Sequence, residues 1–118
     1  MNPIVLAIPT PPSVNRAFRN VQGKGRVRSK VYTDWAKEAG WAIRAQRPGK
    51  IGGKVTLEIG VKRIANADVS NRIKCLEDLL VTLGVIDDDK NVEKVSAEWR
   101  DDITGAVVTV RAFDVPRP

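Results

Sequence analysis

The 118-residue chain contains no histidine. That absence removes Ser-His and Cys-His nucleophilic machinery, imidazole general bases and His-ligated zinc together, and leaves any catalysis to carboxylates, Lys, Arg, Tyr and hydroxyls. The single cysteine, Cys75, cannot form an internal disulfide. No apolar run approaches the ~20 residues that span a bilayer, and no charged-then-apolar leader opens the sequence, so a soluble, cytoplasmic protein with no membrane partner is expected. Aromatics are scarce: three Trp, two Phe and one Tyr. The length suits one domain, residues 1–118, built around one core.

Basic charge is abundant. Twenty Lys/Arg face fourteen Asp/Glu for a net +6, and the signs are segregated: residues 1–63 hold thirteen basic and three acidic side chains, residues 64–118 seven and eleven. Six basic residues and no acid lie from Arg16 to Lys30 (Arg16, Arg19, Lys24, Arg26, Arg28, Lys30), interleaved with Gly23 and Gly25. Two readings fit this stretch: phosphate-backbone contact with counterion release, or a solvated flexible loop. It lacks the apolar face of an interfacial membrane helix. Against this background "GVIDDDKNV" sets Asp87, Asp88 and Asp89 side by side. Such a run is either a solvated turn or a means of holding a cation against a polyanion.

Hydropathy periodicity gives the elements. "PIVLAIP" reads as a first strand; the paired prolines of "TPPSVNRAFRN" exclude helix interior and make a turn. Thr33 as N-cap and Asp34 in the first turn open a helix to about Gln46, which stops before Pro48 and Gly49. Val55, Leu57, Ile59 and Val61 alternate with polar residues, as a half-buried strand does. A second helix is expected from Ser70, as N-cap, to Leu83, with Gly84 as its stop. "VSAEW" and "AVVTVRAF" pair as a hairpin across Asp101 to Gly105. The order implies an α+β domain: a small mixed sheet with two helices on one face.

On the second helix, Ile73, Leu76, Leu79, Leu80 and Leu83 form the core stripe, and Asn71, Lys74, Cys75, Asp78 and Thr82 the opposite face. An ordinary surface pair between Lys74 and Asp78, four residues apart, is the plain reading. Cys75 gains no activating neighbour and is assigned no role. Trp35, Trp41 and Trp99 are expected in the core, although Trp41 lies off its helix's apolar stripe. Asp68 reads either as a turn residue at the helix entrance or as a ligand. The helix is ~21 Å long, so its two ends can cooperate only if the chain turns back after Gly84.

"PPSVNR", "DVSNRIKCLEDLL" and "GVIDDDKNV", in that order and with comparable gaps from Ile4 to about Phe113, resemble the RusA family of Holliday junction resolvases. The resemblance implies a small α+β nuclease that works as a homodimer on four-way, branched DNA in recombination and repair. It implies phosphodiester cleavage with Mg²⁺, or Mn²⁺ in its place, held by aspartates. By position it implies Asp68 and Asp89 as catalytic metal ligands, Asp88 as a further metal ligand, and Lys74 as the catalytic cation. Asn15, Arg16, Arg19, Lys24, Arg26, Arg28 and Lys30 would grip DNA, and Asp87 would stay solvent-facing. Ser70 departs from the family pattern, standing where an aspartate is frequent; a neutral hydroxyl is a much poorer Mg²⁺ ligand, although Mg²⁺ keeps several waters and needs as few as two protein carboxylates. Two other classes therefore stay open: a branched-DNA-binding protein of the same fold with impaired catalysis, and a small basic structural protein.

Overall fold

The computed structural model describes residues 2–113; the single-domain expectation for 1–118 includes Met1 and 114–118, which lie outside the described residues. The chain runs β1 (Ile4–Ile8), a one-turn α1 (Val14–Ala17), β2 (Phe18–Val21), β3 (Gly25–Arg28), α2 (Lys30–Ala45), β4 (Val55–Lys62), a 3₁₀ turn (Val69–Arg72), α3 (Ile73–Thr82), a second 3₁₀ turn (Asp89–Asn91), β5 (Val92–Arg100) and β6 (Ala106–Ala112). β1, β6, β4 and β5 form a mixed sheet in that order, and β2 and β3 a separate two-stranded ribbon. This is the α+β architecture the sequence implies.

The expected closing hairpin is not formed. β6 pairs antiparallel with both β1 and β4, while β5 pairs parallel with β4 on its other side, so β4 separates β5 from β6. The physical reason lies in β4 itself: Val55, Leu57, Ile59, Gly60 and Val61 are all buried, and a strand so covered belongs in the sheet interior, paired on both edges. The loop from Asp101 to Gly105 then has to cross two strand spacings, roughly 10 Å. Gly105 makes this crossing with φ of +66°, and its carbonyl accepts from the Lys62 N–H at 2.8 Å, closing the loop over the end of β4.

One face of the sheet is apolar. Leu6 and Ile8 of β1, the alternate residues of β4, and Ala106, Val108 and Val110 of β6 meet α2 and α3 in one core. The other face is open, with Arg111 Nε donating to Glu58 Oε1 at 3.1 Å. α2 is capped four residues earlier than expected, because Ser29, not Thr33, is its N-cap: Ser29 Oγ accepts from Tyr32 N–H at 3.3 Å and donates to Arg16 O at 2.6 Å. Tyr32, Trp35, Ala39 and Ile43 are buried along its inner stripe. Trp41 is not a core residue; it is 68% exposed, as its place off that stripe dictates, while Trp99 packs half-buried at the core margin. At the C-terminus of α2 the Gln46 amide closes on edge strand β1: Oε1 accepts from Ala7 N–H (2.9 Å) and Nε2 donates to Ala7 O (2.8 Å).

Candidate active site

α3 carries the site, and its entrance differs from expectation. Ser70 is not an N-cap; it sits inside the 3₁₀ turn, where its carbonyl accepts from Ile73 N–H. Asp68 holds the cap position with extended backbone, yet its side chain makes no capping bond. Its exposed carboxylate is thus not committed to the helix end.

At the other end the chain turns back. The Val85 N–H donates to Leu80 O at 2.9 Å and the Gly84 N–H to Val81 O at 3.0 Å, with Gly84 at φ +74°, which is a Schellman stop. Val85 and Ile86 are buried, and Ile86 bridges Ile51, which fixes the return path. The three aspartates that follow then separate in role. Asp87 stays exposed, as expected, and there pairs with Lys50 and accepts from Gly53 N–H at 3.1 Å, tying down the loop before β4. Asp88 caps the second 3₁₀ turn, accepting from Lys90 N–H at 3.1 Å. Asp89 reaches the start of α3, where Lys74 Nζ donates to its Oδ2 at 2.8 Å.

The plain Lys74–Asp78 surface pair is therefore absent. Lys74 turns to Asp89, and Asp78 is taken by Arg28 of β3 at 2.7 Å. The ammonium of Lys74, then neighbouring Asp88, hold the Asp89 carboxyl below its usual range, and the Asp89 hydrogen bond holds Lys74 above its own. Glu77, one helical turn from Lys74, moves the opposite way: burial raises its carboxyl, Lys74 opposes, and Asp89 and Asp78 add.

α3 also grips the proline turn that precedes α1. Arg72 Nη1 donates to Pro11 O at 2.8 Å and Cys75 Sγ to Pro12 O at 3.4 Å. Cys75 is fully buried, contrary to its expected polar-face position, and burial pushes its thiol up to about 11, so it is inert as a nucleophile. The three segments quoted from the sequence thus meet on one helix. Sequence reading missed Arg72 and Cys75 as residues that hold this turn, because the carbonyls they bind lie more than 60 residues away along the chain.

The basic stretch is not a loop. Phe18↔Arg28, Arg19↔Val27, Asn20↔Arg26 and Val21↔Gly25 pair across the β2–β3 ribbon. Arg26 lies 5.0 Å over the Phe18 ring, and Arg28 5.0 Å over that of Tyr32. Asn15, Arg19 and Arg26 line a polar hollow of about 300 Å³ with Val14, Phe18 and Asn20. Arg16 and Lys24 are exposed, whereas Arg28 is held by Asp78, and Lys30 pairs with Asp34 at 2.7 Å on α2.

Among the described residues no three His, Cys, Asp or Glu side chains converge as a metal cluster. The donors at hand, Asp68, Asp88 and Asp89, are hard carboxylate oxygens, and that chemistry fits Mg²⁺ bound through one or two carboxylates with its own waters retained. A family model described as Endodeoxyribonuclease RusA matches residues 9–111, a span that contains all three segments. No curated protein matches the chain.

Proposed function

The chain belongs to the RusA endodeoxyribonuclease family, and from that premise we propose that it resolves four-way DNA junctions as a homodimer, by paired, Mg²⁺-dependent phosphodiester hydrolysis. The observation that carries this reading is the Lys74–Asp89 pair, a cation and an anion from separate segments held at one point beside the entrance of α3. An ordinary surface helix pair would not need the buried return path through Val85 and Ile86.

Asp89 and Asp68 would hold the ion, with Asp88 as a further donor; since no three such side chains converge among the described residues, the ion itself would have to draw them together, and Mn²⁺ would substitute. When bound, the ion supplies Lewis-acid polarisation of the scissile phosphate and acidifies a water. Asp89 is ionised well below neutrality, so it takes a cation without first losing a proton. Lys74 stays cationic and donates to the oxygens on which charge develops. Asn15, Arg16, Arg19, Lys24 and Arg26 bind phosphates without reading sequence. Arg28 orients the ribbon through Asp78, and Lys30 adds a more distant charge. Each protomer of a twofold dimer meets one of the junction's two equivalent strands.

Ser70 favours a second reading, that of a branched-DNA binder with impaired hydrolysis, because it leaves a neutral hydroxyl on the exposed side of the 3₁₀ turn. Incubating the protein with a synthetic four-way junction and Mg²⁺ separates the two. Symmetric nicks support the nuclease; a stable complex without nicked product supports the binder.

A further inference from the structure

The two edges of the four-stranded sheet differ. On β1 the Gln46 amide occupies both the N–H and the C=O of Ala7. β5 pairs with β4 along one side, and on it Glu93, Lys94, Val95 and Ser96 are four consecutive exposed residues, with Val95 39% exposed. A strand buried within a sheet does not expose four residues in a row, and among the described residues no strand pairs with β5 on its far side.

We propose that β5 is the dimer surface: it pairs antiparallel with β5 of a second copy about a twofold axis through Ser96, joining two four-stranded sheets into one. The proposal rests on the dimeric reading given above. The occupant is a second copy because the edge complements itself in charge. With Ser96 opposite Ser96 of the partner subunit, Lys94 faces Glu98 of the partner subunit and Glu98 faces Lys94 of the partner subunit, on the open face where both side chains are exposed. Val95 then lies opposite Ala97 of the partner subunit on the helix-covered side. Centring the axis on Lys94 or Glu98 instead sets two like charges against each other, and centring it on Ala97 sets Lys94 against Arg100 of the partner subunit. Main-chain hydrogen bonds supply attraction, and the charge pattern fixes the register. An axis normal to the sheet keeps both helical layers on one side. Both Lys74–Asp89 pairs then face the same way, toward one branched substrate.

The test is sedimentation velocity across a wide concentration range on wild type, Lys94→Glu, Glu98→Lys and the double charge swap, with circular dichroism to verify the fold. Wild type is expected to dimerise. Each single variant, placing two like-charge pairs across the axis, weakens dimerisation at least ~10-fold, and the double swap restores it. A wild-type dimer unaffected by the single variants, or a double swap as weak as either single, overturns the surface alone. A wild type that stays monomeric overturns the surface and the dimeric reading together.

Discussion

Lys74 Nζ lies 2.8 Å from Asp89 Oδ2, although 15 residues of chain separate the two. The contact exists because the Gly84 stop reverses the backbone and the buried Val85–Ile86 step carries it back along α3. Asp89→Asn should reduce junction cutting to background while leaving binding unchanged, and Lys74→Ala should cost on the order of 100-fold in single-turnover rate. Gel assays of nicked product and of shifted complex read the two effects separately; full cutting by Asp89→Asn would refute its assignment as a ligand.

Acid stability follows from the shifted carboxylates. Lys74 lowers Asp89, Lys50 lowers Asp87 and Arg100 lowers Asp102. A carboxyl whose folded pKa lies below its unfolded one contributes stability above the unfolded value, and that contribution is lost as pH falls through the folded value. The part of the thermal midpoint carried by these three carboxylates should hold from neutrality down to about pH 4 and be lost below it, whereas Glu77, raised by burial, costs stability while ionised and relieves that cost as it protonates. Asp87→Asn should flatten that decline. Lys74, shifted upward, loses its contribution only in strong alkali, above its ordinary range.

Salt should weaken junction binding steeply, and the basic residues should not contribute equally. Arg19→Ala and Lys24→Ala should each reduce the slope of log K against log salt by about 1. Arg28→Ala should change it less, because its guanidinium is already neutralised by Asp78. Equal slopes for all three variants would contradict the division drawn between Arg28, engaged by Asp78, and the other two basic residues.

The Arg28–Asp78 bridge joins the ribbon to α3, and a double-mutant cycle measures it. With both side chains partly exposed, the coupling should be about 0.2–1 kcal/mol in unfolding free energy. Asp78→Ala should also weaken junction binding although it removes a negative charge, since the ribbon loses its fixed orientation. Tighter binding would mean that Asp78 merely repels DNA.

Gly105 has φ +66°, and a Cβ there would stand 2.6 Å from the Ile8 carbonyl oxygen. Gly105→Ala should destabilise the fold by roughly 1–3 kcal/mol, read from urea unfolding. An unchanged midpoint would show that the crossing over β4 tolerates another path.

Local signals identified most elements. Alternation found β4, periodicity found α2 and α3, and Gly84 marked the stop. Pairing was less legible: β5 and β6 adjoin in sequence, yet β4 comes between them, paired with one on each of its edges, and no local signal in the two strands marks that insertion. Side-chain partners were the least legible. A helical wheel sets Lys74 beside Asp78, but each has a stronger claim from outside the helix, and neither the turn after Gly84 nor the fold of the basic stretch into a ribbon can be computed from spacing. Cys75 illustrates the same limit, since the proline turn that buries it is 63 residues away.

Gln46 imitates a peptide group. By occupying Ala7 it caps the four-stranded sheet at β1 as a chain stopper ends a polymer, which leaves β5 as that sheet's other edge among the described residues. If two copies join through β5 as proposed, the eight-stranded sheet so formed is capped by Gln46 at both ends, which closes it to further edge-to-edge growth.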